Sequence, residues 1–158
     1  MQYNFEQEAL NYLEEIGEDL EEIEELMANI VDVDIAQSNI AKLMRKVHSI
    51  KGSAGGFEFE LISTCCHKLE DYILSHQYAS NDLQEYVKSL LSFHQTMANL
   101  VLAYRFKNEK VLDAVRIQYR MEVKGLSDLP ELSLINTENL NKRRILNSVK
   151  VSMNWVGI

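Results

Sequence analysis

Pro130 is the only proline in the 158-residue chain, and it stands so near the C-terminus that everything before it can run as uninterrupted helix. The apolar residues use that freedom. Phe5, Ala9, Leu13, Ile16, Leu20, Ile23, Met27 and Ile30 advance by steps of four and three. This lines one stripe along a helix face and leaves the glutamates the other.

A second helix is predicted from about Ile35 to Ser53, burying Ile40, Leu43, Met44, Val47 and Ile50, with the Gly55-Gly56 pair ending it. A third, from about Glu60 to His76, buries Leu61, Ile62, Cys65, Leu69 and Ile73. After the polar turn Tyr78-Ala79-Ser80-Asn81, a fourth runs from Asp82 to Tyr104 with Leu83, Val87, Leu90, Leu91, Met97, Leu100 and Val101 inward. A shorter fifth, from Asn108 to about Val123, turns Val111, Leu112, Val115 and Tyr119 to the core. Helices joined by short turns pack antiparallel, so the expected fold is all-α, an antiparallel bundle with a four-helix core plus a fifth helix.

Past Gly125 the 3.6-residue period stops. The expected organisation is therefore a bundle over residues 1–125 and a C-terminal appendage over 126–158. Glu131 to Leu134 and Val149 to Trp155 alternate apolar and polar residues as strands do, and Thr137 to Leu146 suits a short helix carrying Lys142-Arg143-Arg144. A small β-ribbon of this kind needs cover for Val149, Val151, Met153 and Trp155, which the bundle or a second copy can supply, so the appendage is a route to an oligomer.

Composition narrows the partners. Hydrophobic residues make up 46% and charged ones 25%, ordinary values for a globular chain. The formal charge of −8 argues against nucleic acid or an anionic membrane as partner, since both are held by clustered Lys and Arg. Residues 1–41 hold 12 of the 24 Asp and Glu and no Lys or Arg, a pattern read first as a solvated helix face. No run reaches the roughly 18 apolar residues of a membrane span, and Met1 to Leu10 lacks the order of a signal peptide, so the expected location is cytoplasmic. Cys65 and Cys66 are adjacent and point about 100° apart on a helix, which suits buried thiols better than a disulfide or a chelating pair. A metal site from Cys65, Cys66, His67 and His76 is the weaker reading, because consecutive helical ligands diverge.

Chemistry concentrates in His48-Ser49-Ile50-Lys51-Gly52-Ser53-Ala54-Gly55-Gly56-Phe57 and in His67-Lys68-Leu69-Glu70-Asp71. His48 falls outside the Leu43, Val47, Ile50 stripe, at the helix edge. Lys51 lies one turn on and can neutralise negative charge placed on the imidazole. Gly52 costs about 1 kcal/mol inside a helix relative to alanine, and clearance for a large group or a docking partner would account for it. An imidazole attacking phosphorus through one nitrogen needs the proton held on the other. If the second and third helices are antiparallel about the Gly56 turn, Glu70 reaches the height of His48 and can accept that proton's hydrogen bond, while His67 lies level with Lys51. Taken singly, each residue is ordinary surface. His76 and His94 have no such companions and are read as structural or surface histidines.

The two segments together resemble histidine phosphotransfer domains, and are similar in particular to the N-terminal phosphotransfer domain of CheA chemotaxis kinases. The resemblance spans about residues 5–122. It implies that His48 is the phosphoacceptor, that Glu70 accepts the hydrogen bond from the far ring nitrogen, and that Lys51 and His67 complete the network; the clearance at Gly52 leads us to expect docking on the face that holds His48, Gly52 and the Gly55-Gly56 turn. Glu58 departs from it, standing where the family usually has a small residue, often glycine. Nothing resembles an ATP-binding kinase domain. The resemblance therefore implies a phosphoryl carrier, free-standing or part of a split kinase, a substrate and phosphodonor more than an enzyme. Its partners would be a histidine kinase, which brings ATP, and a response-regulator receiver domain, which brings Mg²⁺, with no cofactor in this chain. The alternative is a helical docking module that is not phosphorylated.

Overall fold

Asn4 opens the first helix by accepting the Gln7 backbone N–H on its side chain, and Asp32 opens the second by accepting that of Ile35 at 2.8 Å. In the computed structural model, which describes residues 4–76 and 82–121, these helices are α1 (Phe5–Ala28) and α2 (Val33–Gly56). They are followed by α3 (Glu60–Ser75), α4 (Leu83–Arg105) and α5 (Glu109–Gln118). No strand occurs among the described residues. The predicted ribbon and short helix of the appendage lie outside them, as does the polar turn before α4 except for its neighbour Asp82.

The chain divides into two units, Met1–Val101 and Leu102–Ile158, and α4 crosses the boundary. In the first unit the predicted stripes form the core: Leu13, Ile16, Ile23, Met27, Leu43, Val47, Ile50, Leu61, Ile62, Leu69, Leu90 and Met97 are all 1% exposed or less. Burying each such side chain stabilises the fold by about 1.5–3 kcal/mol in transfer terms. Met44, Ile73, Leu83, Val87 and Leu91, expected inside, are half-buried, and Phe5 is exposed. Cross-helix contacts set an antiparallel order. Asn39 Nδ2 donates to Leu26 O at 2.9 Å between α2 and α1, and Ser63 Oγ donates to Lys51 O at 3.0 Å between α3 and α2. On α4, His94 Nε2 lies 2.9 Å from Leu20 O, which makes it a structural histidine, and Met97 Sδ lies 3.7 Å from Cys66 Sγ on α3.

Both cysteines are fully buried free thiols, and burial pushes the Cys66 thiol well up. His67 and His76 are exposed, so they do not share a face with the cysteines. No helix among the described residues is long and apolar enough to cross a membrane.

The end of α2 differs from the sequence expectation. The helix runs straight through Gly55 and Gly56, neither of which has a positive φ, and stops at Phe57. The residue in the left-handed region is Glu58, at φ 66°. Around it Phe59 N–H donates to Ala54 O at 2.8 Å and Glu58 N–H to Gly55 O at 3.2 Å, the pattern of a Schellman closure, with Phe59 and Ala54 both buried beside it. A left-handed residue is where glycine is least costly, which accounts for the small residue that Glu58 replaces. Phe57 then stacks on Tyr12 of α1 at 4.8 Å and lies 5.8 Å from Phe5, sealing this end of the bundle.

In the second unit Leu112 and Val115 are buried as the stripe requires, but so are Asp113 and Arg116, whose side chains pair at 2.7 Å. Glu109 takes the same guanidinium at 3.1 Å, and these two carboxylates raise the Arg116 pKa against the opposing effect of burial.

Candidate functional site

The antiparallel register of α2 and α3 brings a histidine, a lysine and a carboxylate together. His48 is at the outer edge of α2 with its side chain 73% exposed, while Glu70, on α3, is only 13% exposed. His48 Nδ1 lies 3.5 Å from Glu70 Oε2, a loose approach of the kind that tightens when charge develops on the ring. Lys51 Nζ lies 2.8 Å from Glu70 Oε1. That contact is a close ion pair to the buried oxygen of the carboxylate.

One carboxylate thus serves a standing cation, Lys51, on one oxygen and a ring that can become cationic, His48, on the other. Burial pulls the Glu70 carboxyl upward, but the Lys51 ammonium first, and His48 after it, outweigh burial and hold it below its ordinary value of 4.5. Glu70 is an anion across the neutral range. An anion facing Nδ1 favours the tautomer with its proton there, which leaves the Nε2 lone pair pointing to solvent. Chemically, the arrangement is an exposed, oriented nitrogen nucleophile whose positive charge, once alkylated or phosphorylated, already has a counter-ion.

The surroundings keep Nε2 accessible. A Cβ built on Gly52 or Gly56 would meet nothing within 4 Å, and one on Gly55 would sit 3.8 Å from Ser63 Oγ, an ordinary contact. No internal clash requires glycine at these three positions. Glycine there leaves this stretch of the α2 surface without side chains.

His67 is placed elsewhere. Its Nε2 lies 3.4 Å from Asp71 Oδ2 in an exposed pair along α3, so the structure does not bring it into the network of His48, Lys51 and Glu70 as expected. The reason is local: the two residues are four apart on one helix, and Asp71 offers a solvated partner without the desolvation that a place beside Glu70 would cost.

A model of the Hpt domain matches residues 8–103. The chain belongs to the Hpt domain family. Such domains are helical histidine phosphotransfer modules of phosphorelays, not kinases, and they interact with histidine kinases and receiver domains. The Hpt match covers α1 to α4 almost to the end of α4, so α5 and the residues after it lie beyond it. No curated protein and no solved structure matches the chain significantly. Within this Hpt domain, Ser63 and Tyr12 also contribute, which the sequence pattern did not single out. Ser63 carries an α3–α2 hydrogen bond, and Tyr12 stacks on Phe57 at 4.8 Å where α2 ends. A hydroxyl at the margin of an apolar stripe is the one sequence signal both offered.

Proposed function

We propose that this Hpt domain is a phosphoryl carrier that accepts phosphate on His48 Nε2 from a histidine kinase and passes it to an aspartate of a response-regulator receiver domain, in the manner of the CheA phosphotransfer domain it resembles. The observation that carries the reading is the shared carboxylate: Glu70 faces His48 Nδ1 at 3.5 Å and Lys51 Nζ at 2.8 Å while the ring itself stays exposed.

In the forward step the Nε2 lone pair forms a bond to the γ-phosphorus and the bond from that phosphorus to the ADP oxygen breaks. The Nδ1 proton stays on the ring, so phosphorylation leaves a cationic imidazole, which Glu70 stabilises. Lys51 is near enough to turn toward the new phosphoryl oxygens. In the return step an aspartate oxygen bonds to phosphorus, the N–P bond breaks and the pair reverts to Nε2. Phosphoryl transfer has a loose transition state that needs alignment and charge compensation more than covalent help. The kinase would supply ATP and the receiver Mg²⁺, so this reading calls for no cofactor in the carrier. The low surface of Gly52, Gly55 and Gly56 is where the receiver would sit.

The test is to incubate the protein with candidate kinases and labelled ATP, or with potassium phosphoramidate as a docking-free donor, and to look for acid-labile, base-stable phosphate. His48→Gln is expected to abolish labelling and to leave helical content and melting unchanged, because an exposed edge residue contributes little packing. Undiminished labelling of that variant would refute the assignment. A wild-type protein that takes no phosphoryl group from any donor would leave the unphosphorylated docking module as the better reading.

A further inference from the structure

The last turns of α2 present a mechanical problem. From Lys51 to Gly56 only Ala54 is buried, and glycines occupy three of the remaining positions. Few side chains there grip the core, yet this segment must hold Lys51, and His48 one turn earlier, in register with Glu70. Glycine also makes the backbone easier to deform.

Lys51 is nevertheless held at two points, both from α3. Its ammonium meets Glu70 Oε1 at 2.8 Å, and its backbone carbonyl accepts a hydrogen bond from Ser63 Oγ at 3.0 Å. A helical carbonyl has a second lone pair free for such a donor. Ser63 and Glu70 are seven residues apart, two turns, and so lie on the same face of α3. One contact fixes the backbone of α2 and the other the tip of the side chain. Together they set both the rotation and the axial height of α2 against α3, and that setting brings His48 Nδ1 to 3.5 Å from Glu70 Oε2.

The geometry points to Ser63 as a positioning residue: by tying the Lys51 carbonyl to α3, it holds the glycine-rich end of α2 where Glu70 can fix the tautomer of His48. This deepens the carrier reading and rests on it for its consequence, but not for its measurement. Ser63 touches no reacting atom. Its effect runs through the α2 backbone.

The experiment compares wild type with Ser63→Ala, with Ser63→Cys, which keeps the volume but donates weakly, and with Ser63→Thr, which keeps the hydroxyl. The ¹⁵N shifts of the His48 ring, read above neutral pH, report the tautomer. The rate of labelling by potassium phosphoramidate reports the nucleophile without any docking partner. Ser63→Ala and Ser63→Cys are expected to lower the Nδ1–H fraction of His48 and to slow labelling about two- to tenfold, the range expected for loss of one net hydrogen bond. Helical content should not change, and Ser63→Thr should restore both readouts. A merely structural serine would lower the melting temperature and leave the tautomer alone. Wild-type tautomer and wild-type rate in both the Ala and Cys variants would overturn the proposal. Absence of label on His48 in the wild type would instead defeat the carrier reading, and the ring shifts would still decide the role of Ser63.

Discussion

α2 pairs a lysine with a glutamate on each of its two flanks, and the two pairs behave differently. On the α1 side Lys46 meets Glu22, with Asp19 at 3.9 Å, and the side chains are 32% and 62% exposed. On the α3 side Lys51 meets Glu70, which is only 13% exposed and also faces His48. The first is a surface pair of the kind worth about 0–1 kcal/mol. The second has its carboxylate nearly out of water, where charges interact more strongly, and the lysine shares that carboxylate with a ring whose tautomer matters. The composition of the pair is the same on both flanks. Burial of the acid and the presence of a third group make one of them a site.

Removing the acid from each flank should break the comparison most clearly. Glu70→Ala is expected to slow phosphoryl acceptance by about ten- to hundredfold, at most the low end of what a group that itself transfers the proton contributes, whereas Glu22→Ala should leave the rate unchanged. Labelling kinetics with phosphoramidate measure both, and equal rates in the two variants would remove Glu70 from the site.

Gly52 sharpens the contrast between what the fold needs and what the partner needs. A Cβ there meets nothing within 4 Å, so Gly52→Gln should raise stability by about 0.5–1 kcal/mol through helix propensity. Transfer to a receiver domain should fall about tenfold if the added side chain must be overpacked at the docked surface, while labelling by phosphoramidate stays unchanged. Thermal melting and transfer assays read the two effects separately. A stabilised variant that transfers at the wild-type rate would take Gly52 out of the docking face.

The smaller effects concern pH, and the two pairs should fail at opposite ends of the scale. The Glu70 pKa is lowered on folding, so its contribution is fully present above its ordinary 4.5 and is lost as acid carries the pH down through the folded value. Lys46 is raised, chiefly by its hydrogen bond to Glu22, so its contribution is present below 10.5 and fades as pH rises past that value. Denaturant melts across pH should show the acid-side loss disappear in Glu70→Gln. Lys46→Ala should change stability by no more than about 0.5 kcal/mol at neutral pH, a shift near the error of such melts, and a larger one would mean that the α1 flank is not the simple surface pair described.

Much of this was legible in the residues because it depends on local periodicity. The stripes of Leu13 to Met27 and Leu43 to Ile50 define the helices and their inward faces, and the spacing of His48 and Glu70 about the α2–α3 turn places those two at one height, with Lys51 one helical turn nearer that connection, since an antiparallel pair rises by the same 1.5 Å per residue in both directions. The His-Ser-Ile-Lys-Gly run and the Glu70 position carried the family. What the spacing could not resolve was competition among near neighbours. His67 stood at a suitable height but took Asp71, four residues on, because that exposed partner requires no desolvation. The turn after α2 looked like the work of Gly55 and Gly56, yet the left-handed position fell to Glu58, because the helix is closed by the backbone hydrogen bond from Phe59 N–H to Ala54 O, with Phe59 buried. Asp113 and Arg116 are buried on α5, where a stripe of apolar residues gives no notice of an internal ion pair. Ser63 was one polar residue among many until packing set its hydroxyl 3.0 Å from the Lys51 carbonyl. The sequence by itself determined which faces of the helices are apolar and which residues share a turn, since those follow from bond geometry along one chain. Only the tertiary structure decided which of several competent polar groups meet, because that depends on sub-ångström distances and on how much water each contact displaces.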